Sequence, residues 1–358
     1  MFVAWRDLGF AKGRFALMGT VIVLITVLVG LLSGLTAGLG RQNISAITGL
    51  PADHLVFGEP ADGQKLSFTD SQVTPEQWQA WAAEPGVTSA QPLGITTTKA
   101  AAGTRTTALS AFGVPDGSAL APQGARIAPG QAVLSKTAAK NLGGLAPGDD
   151  LTLAGHRLRV AAVDGDAAYS HTPVIWTSLA DWQQAVPGGT GHATVIALTT
   201  AKGADLHGAD ARHGTETRTR DDALAAIGSY TSENGSLQLM RGFLFAISAL
   251  VIGAFFTVWT IQRSGDIAVL KALGASTRYL LRDALGQAVL LLVLGTAVGT
   301  ALAAGVGALV GSTVPFVLDA PTVLFPAAVM IALGAVGAGL SIRRITSVDP
   351  LTALGSAR

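Results

Sequence analysis

The chain alternates between long runs without charge and one long polar block. Phe15–Gly40 and Gly242–Gln262 carry no charged residue, and Ala284–Ile342 is broken by Asp319 alone. A helix needs roughly 20 apolar residues to cross the hydrocarbon of a bilayer. The pattern therefore predicts four spans, near Arg14–Gly38, Leu237–Gln262, Leu280–Leu309 and Thr322–Ile342. The polar block, Arg41–Ser236, lies between the first span and the second. The expected fold is membrane α-helical, with four transmembrane helices and a large mixed α/β extracytoplasmic domain inserted between helices 1 and 2. Residues 1–40 hold the N-terminus and first span, 41–236 the inserted domain, and 237–358 the other spans, a connecting segment at 263–279 and the tail.

Phe15–Gly40 is longer than the apolar core of a cleaved signal, about 7–15 residues, and is read as a retained span. The third span is long enough to require tilt. Gly295, Gly299, Gly305, Gly307 and Gly311 recur along it, and small residues four apart let helices approach closely.

Inside the polar block, Gln131–Val163 has the clearest pattern. Ala132–Ser135 reads as a strand ending in a helix cap, and Lys136–Leu142 as a short helix stopped by Gly143 and Gly144. Leu151–Leu153 and Leu158–Val160 alternate around Ala154-Gly155-His156, as a hairpin does. Thr74–Ala83, with Trp78 and Trp81, and Asp181–Val186 read as short helices.

Charge sets the expected orientation. Arg6, Lys12 and Arg14 precede span one, Arg263, Lys271, Arg278 and Arg282 separate spans two and three, and Arg343, Arg344 and Arg358 follow span four. Basic residues favour the cytoplasmic side. A cell-membrane protein with both termini in the cytoplasm and the inserted domain outside is expected.

Only 13% of residues are charged, against about 25% in soluble domains. The net charge of +1 gives no footprint for nucleic acid. The absence of cysteine excludes disulfides, thiolate metal sites and cysteine nucleophiles. The histidines, at 54, 156, 171, 192, 207 and 213, form no H-E-x-x-H pattern, and no metal site is expected. His171 stands out because it adjoins Tyr169 and Pro173, although a surface loop explains it equally. No G-x-S-x-G elbow occurs, so no catalytic residues are assigned. Asp319 falls in the short loop between spans three and four, where a solvated role is expected.

Two segments carry candidate chemistry. The first runs from Thr260 to Tyr279, as TIQRSGDIAVLKALGASTRY. By itself it is an amphipathic helix that ends at Gly274 between two spans. The second, Gly228–Phe245, reads GSYTSENGSLQLMRGFLF and enters span two. If helical, it puts Glu233, Leu237 and Met240 on one face, with Tyr230 just ahead. An interfacial belt explains such residues without any ligand.

IAVLKALGAS after a span resembles the coupling segment of FtsX/MacB-type ABC transporter permeases. The ending IRRITSVDPLTAL is similar to that family's, as is the order of one span, an outer domain and three spans. The resemblance implies a non-catalytic subunit. ATP and magnesium would be handled by a separate ABC ATPase, two copies of which serve a permease homodimer; no G-x-x-x-x-G-K-[ST] loop occurs here. It implies that Asp266, Ile267, Val269, Leu270, Lys271, Leu273 and Gly274 meet that ATPase. It also implies work on a substrate taken from membrane lipids or the outer face.

Within the family, YTSENGSLQLM followed by IQRSGDIAVLKALGAS is most similar to the haem-efflux (HrtB-type) branch and its DevC-like relatives. The segment AYSHTPVIWTSL, from Ala168, also resembles that branch. Haem is then the expected transported ligand, with no intrinsic cofactor. Tyr230, Glu233 and Met240 are the candidate contacts, with Arg41 and Arg241 for its propionates. Export of a lipid, lipoprotein, peptide or antibiotic remains open, as does an FtsX-like mechanotransmitter that moves no solute. The four-span count disfavours the ten-span sensor permeases.

Overall fold

The computed structural model describes residues 12–122, 125–262, 265, 269–271, 273–311 and 314–346. Asp266, Ile267, Arg6, Arg263 and the tail beyond Thr346 lie outside the described residues. The chain divides into two compact units, meeting at Gly38/Leu39 and Gly235/Ser236.

The membrane unit draws on four helices: α1 (Lys12–Thr48), α6 (Tyr230–Gln262), α7 (Thr277–Val310) and α8 (Ala320–Thr346). Each is long and apolar enough to cross a membrane. The chain is a membrane protein. The first two helices correct the expected span limits. α1 continues past Gly38 to Thr48, and α6 begins at Tyr230 rather than Leu237. Hydropathy falls where Arg41, Gln42 and Asn43 begin, but the helix does not, because Ala46, Ile47 and Leu50 bury in the core of the outer unit. Tertiary packing of an apolar face sustains a helix beyond its hydrophobic run.

Small residues set the spacing within the membrane unit. Gly337 of α8 meets Gly253 of α6 so closely that a Cβ on Gly337 would lie 3.3 Å from the Gly253 Cα. Beside this crossing, the Ser341 hydroxyl lies 2.8 Å from that of Thr257. Gly299 of α7 packs on Thr26 of α1, where an added Cβ would come within 2.6 Å of the Thr26 Cβ. The Phe316 ring rests against Gly34 and Gly307, and the Val317 amide donates to the Gly34 carbonyl at 3.1 Å.

The outer unit, Leu39–Gly235, is built on one mixed sheet. Its strands are β1 (His54–Gly58), β2 (Val87–Ala102), β3 (Arg105–Val114), β4 (Gln131–Leu134), β5 (Asp150–Leu153), β6 (His156–Val163), β7 (Ala168–Tyr169), β8 (Thr172–Ser178), β9 (Val195–Thr200) and β10 (Thr215–Thr219). The order is β10-β1-β9-β2-β3-β8-β4-β6-β5, with β7 beside β8. β5 also pairs with β2, which closes the path from β2 to β5 into a ring. The sheet separates two cores. Ala132, Leu134, Ala111 and Ile175 face one, while Val133, Phe112, Val174 and Trp176 face the other. This is the period-two alternation of a sheet buried on both sides.

Short helices cover the faces: α2 (Pro75–Ala83), α3 (Lys136–Asn141), α4 (Leu179–Ala185) and α5 (Leu206–His213). Their starts follow from their caps. Thr74 and Gln77 form a reciprocal capping box at α2, and the Ser135 hydroxyl accepts from the Ala138 amide at α3. The expected hairpin is present, with Leu153 opposite His156 and a two-residue turn at Ala154-Gly155.

Candidate functional site

The sharpest polar constellation in the outer unit gathers around Glu233. This residue lies in the first turn of α6, where exposed amides favour a carboxylate. Two donors converge on its Oε2: the Asn43 side-chain amide at 3.0 Å and the His171 Nε2 at 2.8 Å. Asn43 comes from α1 and is buried, at 2% exposure. His171 and Glu233 are both partly open, at 37% and 38%.

His171 is delivered by an unusual turn. β7 and β8 pair as Tyr169 opposite Thr172, which leaves a two-residue loop, Ser170-His171. Both loop residues have positive φ, at 47° and 62°. Such turns generally use Asn-Gly or Gly-Gly, because side chains strain the left-handed region. The loop is over-determined by its neighbours. The Ser170 amide donates to the Asn43 carbonyl at 2.9 Å, and the His171 amide to the Gln42 carbonyl at 3.1 Å. Ser45 both accepts from the Ala168 amide at 2.9 Å and lies 3.2 Å from its carbonyl. Beneath the turn, Thr172 donates to the Tyr169 carbonyl at 2.8 Å, and its hydroxyl lies 2.7 Å from that of Ser110.

The expected site residues fall in two units. Arg41, Tyr230 and Glu233 belong to the outer unit, and Met240 and Arg241 to the membrane unit. Arg41 is exposed on α1. Tyr230 is half-buried and packs against the outer core. Burial in the same core raises the Tyr169 phenol well above the ordinary tyrosine range. Met240 is exposed on α6, and the Arg241 guanidinium stands over the Phe325 ring, 5.6 Å from its centre. Sequence reasoning paired Glu233 with no one. Asn43 was missed, and His171 was noticed only for its neighbours. No local signal links them, since they are 190 and 62 residues from Glu233.

The segment between α6 and α7 ends at Gly274, as its sequence implies. The Ala275 amide donates to the Leu270 carbonyl at 2.9 Å and the Gly274 amide to the Lys271 carbonyl at 3.1 Å. Gly274 has φ of +92°, so the helix closes in a Schellman motif around it. Val269, Leu270 and Leu273 are exposed, Leu273 at 80%. Among the described residues, no group of three or more histidines and carboxylates could hold a metal ion.

The family model of the MacB-like periplasmic core domain matches residues 15–214, and that of the FtsX-like permease C-terminal domain matches 239–350. The chain belongs to the MacB/FtsX-type ABC transporter permeases. The periplasmic-core match makes the outer unit an extracytoplasmic domain. A Staphylococcus epidermidis permease named for hemin transport, HrtB, is 25% identical to this permease over 363 residues, 99% of each chain. An uncharacterised ABC transporter permease of Mycobacterium tuberculosis is 28% identical over 364 residues, again 99% of each. The periplasmic region of MacB from Actinobacillus actinomycetemcomitans superposes at a TM-score of 0.38 and 13% identity, covering 51% of this chain and 96% of that one. The family assignment rests on the family models, not on this superposition.

Proposed function

We propose that this permease extrudes haem, or a closely similar amphipathic compound, from the membrane. The observation that carries the reading is the donor set at the head of α6. Glu233 and the nearby Tyr230 supply oxygen donors, a tyrosine oxygen being among those that bind haem iron, while the His171 imidazole is engaged with Glu233. Full-length similarity to a permease named for hemin transport supports the same cargo. Tyr230, Glu233 and Met240 are the proposed contacts, and Arg41 and Arg241 the proposed partners of the propionates.

The permease works as a homodimer with two copies of a separate ABC ATPase, which binds ATP and magnesium. Both termini face the cytoplasm. Residues 1–40, 41–236 and 237–358 act as first span, outer domain and remaining spans. The apolar side chains of Val269, Leu270 and Leu273, with Asp266, Ile267, Lys271 and Gly274, form the ATPase contact. The exposure of Val269, Leu270 and Leu273 beside a sharp helix end suits a docking knob.

A second reading, export of another amphipathic compound, is favoured by the mycobacterial relatives. They are as similar over their length and are named for no cargo. Growth on graded hemin separates the two. Deleting the permease gene raises hemin sensitivity, and the wild-type gene restores tolerance while Glu233→Ala does not. Unchanged hemin tolerance in the deletion strain removes the haem reading.

A further inference from the structure

We propose that His171 is the positioning residue for Glu233, holding its carboxylate in the single orientation that meets the cargo. The inference rests on the haem reading for what the carboxylate meets, and on geometry alone for how it is held. A glutamate on the first turn of a helix ordinarily samples several rotamers at the surface. Here the Glu233 carboxylate has a local hydrogen-bonding neighbour in Ser229, and its Oε2 is also pinned from two distant elements, by Asn43 of α1 and by His171 of the β7–β8 turn.

The Asn43 side is fixed. Flipping its amide would set two oxygens against each other at 3.0 Å, so the nitrogen must face Glu233. Its own carbonyl oxygen is then buried without a protein partner. Moving Asn43 away would also leave its buried amide nitrogen without an acceptor.

The His171 side is built at a cost. A turn serving only to join β7 to β8 would be more stable with glycine at positions 170 and 171, both of which have positive φ. The chain instead places serine and histidine there. It braces them with two α1 carbonyls, the Ser45 hydroxyl and the Thr172–Ser110 hydroxyl pair. What this bracing yields is an imidazole on a rigid base, 2.8 Å from the carboxylate. Two successive left-handed side-chain residues held by surrounding structure point to a role for this turn.

The test separates holding from folding. His171→Gly relieves the left-handed strain, so the full-length permease keeps or gains thermal stability. It nonetheless binds hemin about tenfold more weakly in an absorption titration, the scale of one hydrogen bond to a charged group. His171→Gln, which retains a donor, restores most of the affinity. In the Glu233→Ala background, His171→Gly causes no further loss, because His171 acts only through Glu233. Wild-type affinity in His171→Gly, or losses that multiply in the double variant, overturns the proposal. If the wild-type permease binds no hemin, the haem reading fails, and diethyl pyrocarbonate labelling of His171 decides the positioning role. Labelling several-fold faster in Glu233→Gln than in wild type supports the contact. Equal rates overturn it.

Discussion

The Nε2 of His171 lies 2.8 Å from the Oε2 of Glu233, joining a strained two-residue turn to the first turn of α6. Asn43 reaches the same oxygen from α1. Within the outer unit, one carboxylate therefore gathers the end of the first helix, the start of the second and a hairpin of the sheet. Under the proposed function, such a junction would link cargo contact to movement of these helices.

Asn43→Asp tests the junction without altering shape. It replaces a buried donor with a second carboxylate 3.0 Å from Glu233. Two such groups cannot both stay ionised without repulsion. The variant is expected to lose about 1–3 kcal/mol of stability at neutral pH. Lowering the pH protonates one carboxyl and recovers part of the loss. Thermal unfolding in detergent at two pH values reads both effects.

The outer sheet contains a slot that fits one side chain. Gly94 and Gly113 sit opposite each other on β2 and β3, and the Trp182 side chain of α4 fills the space above both. A Cβ at Gly94 would lie 2.3 Å from the Trp182 ring. Gly94→Ala is expected to destabilise the outer unit by about 1–3 kcal/mol through overpacking. Trp182→Ala costs about 3–5 kcal/mol by leaving a cavity. The two changes together cost less than their sum. The difference in near-ultraviolet circular dichroism between wild type and Trp182→Ala isolates the Trp182 signal, and its loss on unfolding follows that environment.

Glu84 gives a pH dependence of definite sign. Hydrogen bonds from Arg212, then from His213, hold its carboxyl below the usual carboxylate range. The Arg212 contact is 2.8 Å and the His213 contact 2.7 Å. A depressed folded-state pKa adds stability above the unfolded pKa, and that stability is lost as pH falls through the folded value. Wild type should therefore be more stable than Glu84→Gln at pH 7. The difference should shrink as the pH drops below the ordinary carboxylate range.

In the membrane unit, the Gly253–Gly337 crossing is tight, a Cβ on Gly337 lying 3.3 Å from the Gly253 Cα, so a branched side chain there does not fit without a shift. Gly337→Val is expected to separate α6 from α8 and break the Ser341–Thr257 hydroxyl contact. Reduced thermal stability in detergent, and loss of hemin tolerance in cells, are the expected outcomes. Gly305, which has open space beside it, should accept alanine without effect.

Much of this architecture was legible in the residues. The apolar runs gave the four helices because hydrocarbon admits little else. The caps at Thr74 and Ser135 and the turn at Ala154-Gly155 read directly, since each is a local matter of backbone hydrogen bonds. The ends of α1 and α6 did not. Arg41, Gln42 and Asn43 look like the start of a loop, and only the burial of Ala46 and Ile47 in a sheet formed later in the chain keeps them helical. The Ser170-His171 turn was equally hidden, because it lacks the glycine that announces such a turn. The company Glu233 keeps is a product of long-range topology, which no spacing reveals.

The most direct test of the cargo assignment is an absorption titration of the purified full-length permease with hemin in lipid nanodiscs. A saturable spectral shift is expected, lost when Tyr230 and Glu233 are both replaced by alanine in a protein that remains folded. A shift that never saturates, or one that persists unchanged in that variant, would contradict the assignment.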